Sequence, residues 1–345
     1  KVTITGGELV SNGRTGVYIS CYGDPDSIQF TMTGGKLTHT GGMSGAIQLY
    51  KGATVTIDGT AEIESTSSYA VQVQENTILN VEGGNLSSSG SSAISCGETS
   101  TVNISGGEIS STTTSTTSGV ISAEENATVN ITGGKISTEK QAVYAEDNAS
   151  VSISGDAVIS TSSTSASDKI VNTDGSGSIS VTGGTFQNAD GGKVDVSGYL
   201  PEGTTQDESG NVVVDESKAV ASIGNVGYTT LAAAVEAAKD GDTIMILQDI
   251  TVTSAISPKK TLTFRGAVKG DDTKVKVSGS SGLFSQSGAG VFTLENLNLE
   301  ATGETWYIYH SAGPLHINNC YFTMAAGVTK TGNLIMGEGK PATDE

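Results

Sequence analysis

Val102–Ile109 reads VNISGGEI, and Val129–Ile136 reads VNITGGKI. In both, apolar and polar residues alternate for four positions, and two glycines, a charged residue and an isoleucine follow. Alternation with a period of two marks a strand with one buried face. A Gly-Gly pair supplies backbone angles that other residues avoid, so a corner is expected there. The unit recurs in both directions along the chain. It reads VTITGG from Val2, FTMTGG from Phe30, VTIDGT from Val55, LNVEGG from Leu79, VSISGD from Val151 and ISVTGG from Ile179. The first glycines, Gly6, Gly34, Gly59, Gly83, Gly106, Gly133, Gly155 and Gly183, are 22 to 28 residues apart. A period in that range is the signature of a solenoid.

Each period holds three short apolar patterns. The first points two residues inward, from Val2 and Ile4 in the first unit to Ile179 and Val181 in the last. The second contributes Leu9, Leu37, Ile63, Leu86, Ile109, Ile136, Ile159 and Phe186. A Ser/Thr-rich stretch of variable length follows and reads as a surface loop. The third is expected to pair Ile19/Cys21, Ile47/Leu49, Val71/Val73, Ile94/Cys96, Ile121/Ala123, Val143/Ala145 and Ile170/Asn172. Turns at Glu75-Asn76, Glu125-Asn126 and Asp147-Asn148 close the coil, with asparagine suited to a left-handed position. Three strands per period predict an all-β, right-handed parallel β-helix. It is a three-sided solenoid with coils of about 22–28 residues, stacked in parallel about 4.8 Å apart. An antiparallel sandwich also uses short alternating strands, but it lacks so regular a repeat.

The pattern stops after Phe186. Residues 1–190 are read as one β-helix of about eight coils, 191–218 as a linker or end hairpin, and 219–345 as a second, shorter module. In that module Thr229 or Thr230 is a helix N-cap, and Leu231, Ala234, Val235 and Ala238 form one apolar face. Gly241 is expected to stop the helix, which would cap a further β-helix. Strands follow at Thr243–Leu247, Thr261, Lys274, Val291, Tyr307 and Leu315. Asn296 and Asn319 fall in register, either as a hydrogen-bonding ladder or as turn residues.

Composition narrows the function. Of 345 residues, 35% are hydrophobic, only 5% are aromatic and 46 are glycine, which is poor material for a conventional core. The formal net charge of −19 repels nucleic acid and anionic lipid, so neither is expected as a partner. No apolar run reaches membrane-spanning length, so direct membrane insertion is not expected. Cys21, Cys96 and Cys320 are too few for a disulfide framework. Cys21 and Cys96 are expected to share a column three coils apart, reduced and buried. The chain opens on a strand rather than a signal peptide. It is therefore expected to be a piece of a longer secreted or bacterial surface protein, with signal and anchor elsewhere.

The ITGG-E-IS repeats, followed by GYTTLAAAVEAAKDGDTIMIL from Gly227 to Leu247, resemble pectate-lyase-like β-helix modules of Gram-positive gut-type bacterial surface proteins. They are also similar to non-catalytic carbohydrate-binding β-helix proteins. The resemblance implies secretion, adhesion or contact with glycans or host surface components. Lyases on this scaffold bind Ca²⁺ through clustered carboxylates and use a lysine or arginine base. No such constellation is visible in this sequence. His39, His310 and His316 share no motif, and Lys36 and Lys135 occupy a position that Glu8 and Glu108 also fill. The expectation is of a chain without catalytic activity.

Three features are candidate ligand or metal sites. Glu75, Glu98, Glu125 and Asp147 recur at one turn, where Ca²⁺, the only cofactor considered, would relieve their repulsion. Asp24 and Asp26 offer a loop alternative. The outward column Thr3, Thr31, Thr56, Asn80, Asn103, Asn130, Ser152 and Ser180 forms a hydroxyl and amide ladder, read as solvated surface, a glycan face or an ice-binding face. Tyr18, Tyr22, Tyr50 and Tyr69, with Trp306, Tyr307 and Tyr309, are the aromatic candidates for stacking on sugar. The leading expectation is a stalk or adhesin module that displays or contacts glycans. The alternatives are a carbohydrate-binding module with a defined site, a pectate-lyase-like polysaccharide lyase and an ice-binding β-helix. Oligomeric state is left open by the sequence.

Overall fold

A computed structural model of the chain describes residues 1–21, 28–42, 44–163, 165, 168–268, 274–330 and 332–337. The chain divides into two compact units, Lys1–Pro201 with Thr205–Val212, and Glu202–Thr204 with Val213–Glu345.

The first unit is a parallel β-helix. Its first-strand column runs Val2, Phe30, Val55, Leu79, Val102, Val129, Val151 and Ile179, each paired in parallel with the next coil. The second-strand column runs from Leu9 through Ile63 and Ile109 to Phe186 in the same way. A separate seven-stranded parallel sheet makes the third side. In the first two periods the corner falls within one strand, where the register shifts between Ile4 and Glu8, so Val2–Ser11 and Gln29–His39 each serve two sides. The inward residues from Phe30 onward are buried and form one continuous core. Val2, on the first coil and paired on one side only, remains 55% exposed.

The glycine corner has a steric cause. Gly107 has φ +83°, and a Cβ placed on it would meet the carbonyl oxygen of Gly83 in the adjacent coil at 2.8 Å. Small residues also line the other corners. Ala46, Ala70, Ala93 and Ala142 precede the third strands, and Ala53, Ala127 and Ala149 precede the first strands, all of them buried.

Three details differ from the sequence reading. On the third side, Val17 pairs with Ile47 and Ile19 with Leu49, so Ile19 occupies the column of Cys96 and Cys21 lies two residues beyond it. At the far end, Val171 and Thr173 pair with Val143 and Ala145, one residue on from the expected Ile170/Asn172. The first slip is by two residues, where alternating Val17, Ile19 and Cys21 permit two settings with the same face inward, and the second is by one, where Ile170 and Val171 are both apolar. At the coil-closing turns, the left-handed residues are Glu98, Glu125 and Asp147, not the asparagines that follow the last two. Only at Glu75-Asn76 are both positive.

The segment 191–218 carries a 3-10 turn at Ser197–Tyr199 and contributes Val196 and Val212 to the first core.

The second unit is also built from parallel coils. Thr243–Ile246, Leu262–Gly266, Phe292–Glu295 and Leu315–Asn318 stack in parallel as one side. Ile250–Val252, Val275–Gly279, Leu297–Ala301 and Tyr321–Met324 form the second side, and Phe284–Gln286, Ile308–His310 and Ile335–Gly337 the third. Phe264, Phe284 and Phe292 meet in the core with ring centroids 5.2 to 5.6 Å apart. An antiparallel pair, Ala221–Ile223 and Val226–Tyr228, joins the first of these sides. Helix α1, Leu231–Ala237, is N-capped by Thr230, whose hydroxyl accepts from the Ala233 amide at 3.1 Å. Its Leu231 and Ala234 are buried. The helix ends at Ala237, before Gly241, because Ala238 turns to an extended ψ of 142°.

Candidate functional site

The expected outward column exists in full register, from Thr3 and Thr31 through Thr56, Asn80, Asn103 and Asn130 to Ser152 and Ser180. Its asparagines bond to one another. Asn103 donates to the Asn80 carbonyl oxygen and Asn130 to that of Asn103, each at 2.9 Å. Asn103, bonded on both sides, therefore uses half of its amide's hydrogen-bonding capacity within the ladder. The neighbouring column on the second side carries Lys36 near Glu62 and Glu64, and Lys135 near Glu108, as exposed ion pairs.

The acidic turns also stack. The Glu98 amide donates to Glu125 Oε2 across coils at 2.7 Å. Burial, followed by the charges of Glu75 and Glu125, pushes the Glu98 carboxyl above its ordinary value. Glu124 is likewise raised by burial, then by Glu146, Glu125 and Asp147. Tyr144 donates toward Glu146 at 3.4 Å and Asp174 at 3.5 Å, and burial with these carboxylates pushes it up to about 12. Among the described residues, no group of three or more His, Cys, Asp or Glu is arranged to hold a metal ion. Asp24, Asp26 and Tyr22 lie outside the described residues.

The aromatic candidates separate. Tyr18 and Tyr50 form a pair on the third side of the first unit, with centroids 6.0 Å apart and Tyr18 57% exposed. Tyr307 is a core residue whose hydroxyl donates to the Thr323 carbonyl at 2.6 Å. Trp306 and Tyr309, in the second unit, are part-exposed with centroids 5.9 Å apart. His39 is fully buried and bonded between Ser65 and the Gly13 carbonyl, a structural role.

A cleft that the sequence reading missed lies at the end of the first unit. It encloses about 660 Å³ and is lined by residues including Asp168, Lys169, Asn188, Lys193, Asp195 and Tyr199. Asp168 is bridged to Lys140 at 3.4 Å and accepts from the Ser163 hydroxyl at 2.7 Å, which hold its carboxyl below the usual range. Asp195 is held low by the Ser197 amide at 3.0 Å. Lys169 and Lys193 are exposed, and among the described residues neither makes an ion pair. Only these two isolated lysines near the end of an acidic repeat signalled the cleft in the sequence.

No family model matches the chain, and neither does any curated protein. Among solved structures, the chain is similar to the family PL6 alginate lyase AlyGC and to an arginine-to-alanine variant of that enzyme. The variant is 12% identical with a TM-score of 0.23, over 97% of this chain and 77% of the variant's. For the unmodified enzyme the identity is 12% and the TM-score 0.23, over 96% of this chain and 75% of the enzyme's. The expectation of a chain that is not an enzyme is not retained beside these lyases. The likeness is too distant to transfer a residue, a substrate or an activity. Among the described residues no helix is long and apolar enough to cross a membrane.

Proposed function

We propose that the chain acts on the outside of a cell, and that its first unit engages a uronate-bearing polysaccharide in the cleft beside Lys169 and Lys193. The observation that carries this reading is the pairing of two exposed lysines with Tyr199 in one cavity of about 660 Å³, a size suited to a few sugar rings. Asp168 is bridged to Lys140, and Lys193 shares its charge with Asp195, so Lys169 is the amine best placed to meet a ligand carboxylate by a charge-assisted hydrogen bond. The net charge of −19 opposes a polyanion at long range, and salt screens both that repulsion and the lysine–carboxylate attraction, so binding is to be measured across ionic strength.

A second reading, polysaccharide lyase, is favoured by the presence of amines and a phenol in the same cleft. β-Elimination needs a base to take the proton at C5 and an acid to protonate the oxygen that leaves C4. The C4–O bond breaks as the C4=C5 double bond forms. Lys169 or Lys193 and Tyr199 supply groups of those two kinds.

The test is calorimetry with oligogalacturonate and oligoalginate, together with the ultraviolet absorbance of unsaturated uronates over time. Binding that disappears in the Lys169→Ala/Lys193→Ala double variant supports the cleft. Absorbance growth that disappears in Tyr199→Phe supports elimination. Absence of binding to either polyuronate across salt concentrations rejects both readings.

A further inference from the structure

Trp306 is the single tryptophan of a chain in which aromatics are only 5%. It is not spent on the core. Its neighbours Tyr307 and Ile308 turn inward and are buried, while the indole stays part-exposed at the edge of the third side. In the coil before it, Leu283 and Phe284 bond to the Tyr307 carbonyl, which places Gly282 beside Trp306. In the coil after it, the Gly332 amide donates to the Thr305 carbonyl at 2.7 Å. Gly332 thus packs on the backbone at Thr305 and Trp306, while Gly282 lies against the indole itself.

Gly282 is more than a neighbour. It has φ +87°, and a Cβ placed on it would lie 2.4 Å from the benzo ring of Trp306, with two further ring atoms at 2.6 Å. The ring rests on bare backbone, in a space that any side chain would fill. Tyr309 stands 5.9 Å away at an interplanar angle of 53°, limiting the indole's freedom from the side. The indole is thus held in place, wide and partly bare to solvent.

From this geometry we infer that Trp306, seated on Gly282 and braced by Tyr309, is a stacking platform for a pyranose ring of a polysaccharide, for which cellohexaose is the probe. The electron-rich face of an indole attracts the positive C–H edges that the flat side of a sugar ring presents. A rigid aromatic loses little conformational entropy on binding, and this one is already fixed. The site belongs to the second unit and does not depend on the lysine cleft of the first.

The lone tryptophan makes the test direct. The intact chain is titrated with cellohexaose while Trp306 emission is recorded. The expected result is a saturable blue shift with millimolar or tighter affinity. Tyr309→Ala should weaken it about tenfold, equivalent to about 1.4 kcal/mol, with an unchanged melting temperature as the check on folding. Trp306→Ala, read by calorimetry, should remove cellohexaose binding. Lys169→Ala/Lys193→Ala should leave the titration unaltered, which keeps this site distinguishable from the cleft. The inference is overturned if emission is flat to about 10 mM cellohexaose, well above millimolar affinity. It is equally overturned if only oligogalacturonate moves the emission and the lysine variant abolishes that change.

Discussion

Asn103 donates a side-chain hydrogen bond to Asn80 in one neighbouring coil and accepts one from Asn130 in the other, both at 2.9 Å. The contacts run along the stacking direction, parallel to the backbone ladders, so they add to the cohesion between coils. Asn103→Ala removes both bonds at a half-exposed site where water replaces part of the loss. The expected cost is about 1 kcal/mol in chemical denaturation. Asn103→Thr should cost less, because threonine fits a pleated surface and already stands in this column at Thr31 and Thr56. An alanine variant as stable as the parent would show that the ladder is merely decorative.

The corner glycines predict a graded series. Gly107 and Gly191 both have positive φ, +83° and +79°. A side chain at either position incurs the left-handed penalty of about 1–2 kcal/mol. Only at Gly107 would it also collide with a carbonyl of the next coil, at 2.8 Å, whereas nothing lies within 4 Å of a Cβ at Gly191. Gly107→Ala should therefore lose at least about 2 kcal/mol, and Gly191→Ala about 1 kcal/mol. Equal melting temperatures for the two variants would contradict the account of the corner.

Acidity should act in two opposite directions on stability. Glu98 and Glu124 have folded-state pKa values raised above the ordinary 4.5, so the folded chain binds their protons more tightly than the unfolded chain. Their repulsion is relieved as pH falls through the raised values, and stability rises until about 4.5, the unfolded value. Asp168, Asp195, Asp207 and Asp215 are lowered from 3.8 and contribute stability that is lost as pH falls below that value. Melting temperature should therefore pass through a maximum in mild acid. Glu98→Gln with Glu124→Gln should flatten the rise on the neutral side while leaving the acid limb in place. A melting temperature that falls steadily from neutral pH would refute this balance.

The columns of the first unit could be read from the sequence because alternation and period act at every coil. A slip by one residue at Val102 or Ile104 would turn a valine and an isoleucine into water. That penalty vanishes at Val17–Cys21, where a slip of two along alternating Val17, Ile19 and Cys21 keeps apolar residues inward, and at Ile170–Val171, where both neighbours are apolar. The turn chemistry misled for a different reason. Intrinsic preference assigns left-handed angles to asparagine, but at Glu125-Asn126 and Asp147-Asn148 stacking places the acidic residue there instead. The cleft was hidden because Asp168 lies in a variable loop of the repeat while Lys193 and Tyr199 lie beyond it, so no period connects them. The cradle of Trp306 needed coordinates for the same reason. Gly282 is an ordinary loop glycine until the register sets it beside the indole.

The cysteines give a last prediction that tests burial directly. All three are thiols rather than disulfides, with Cys21 and Cys96 buried and Cys320 part-exposed. Cys96 is fully enclosed, its Sγ is 3.2 Å from Ser100 Oγ, and burial pushes its thiol up to about 11. Only a thiolate reacts readily, so enclosure and low ionisation both protect it. In the native protein at about pH 8, Cys320 should be modified first by a thiol reagent, and Cys96 only at the rate of global unfolding. Denaturant should release all three thiols, and mass spectrometry of the peptides assigns each one. Rapid native labelling of Cys96 would mean that the third side of the coil opens locally, and the continuous core described for the first unit would then be wrong at that position.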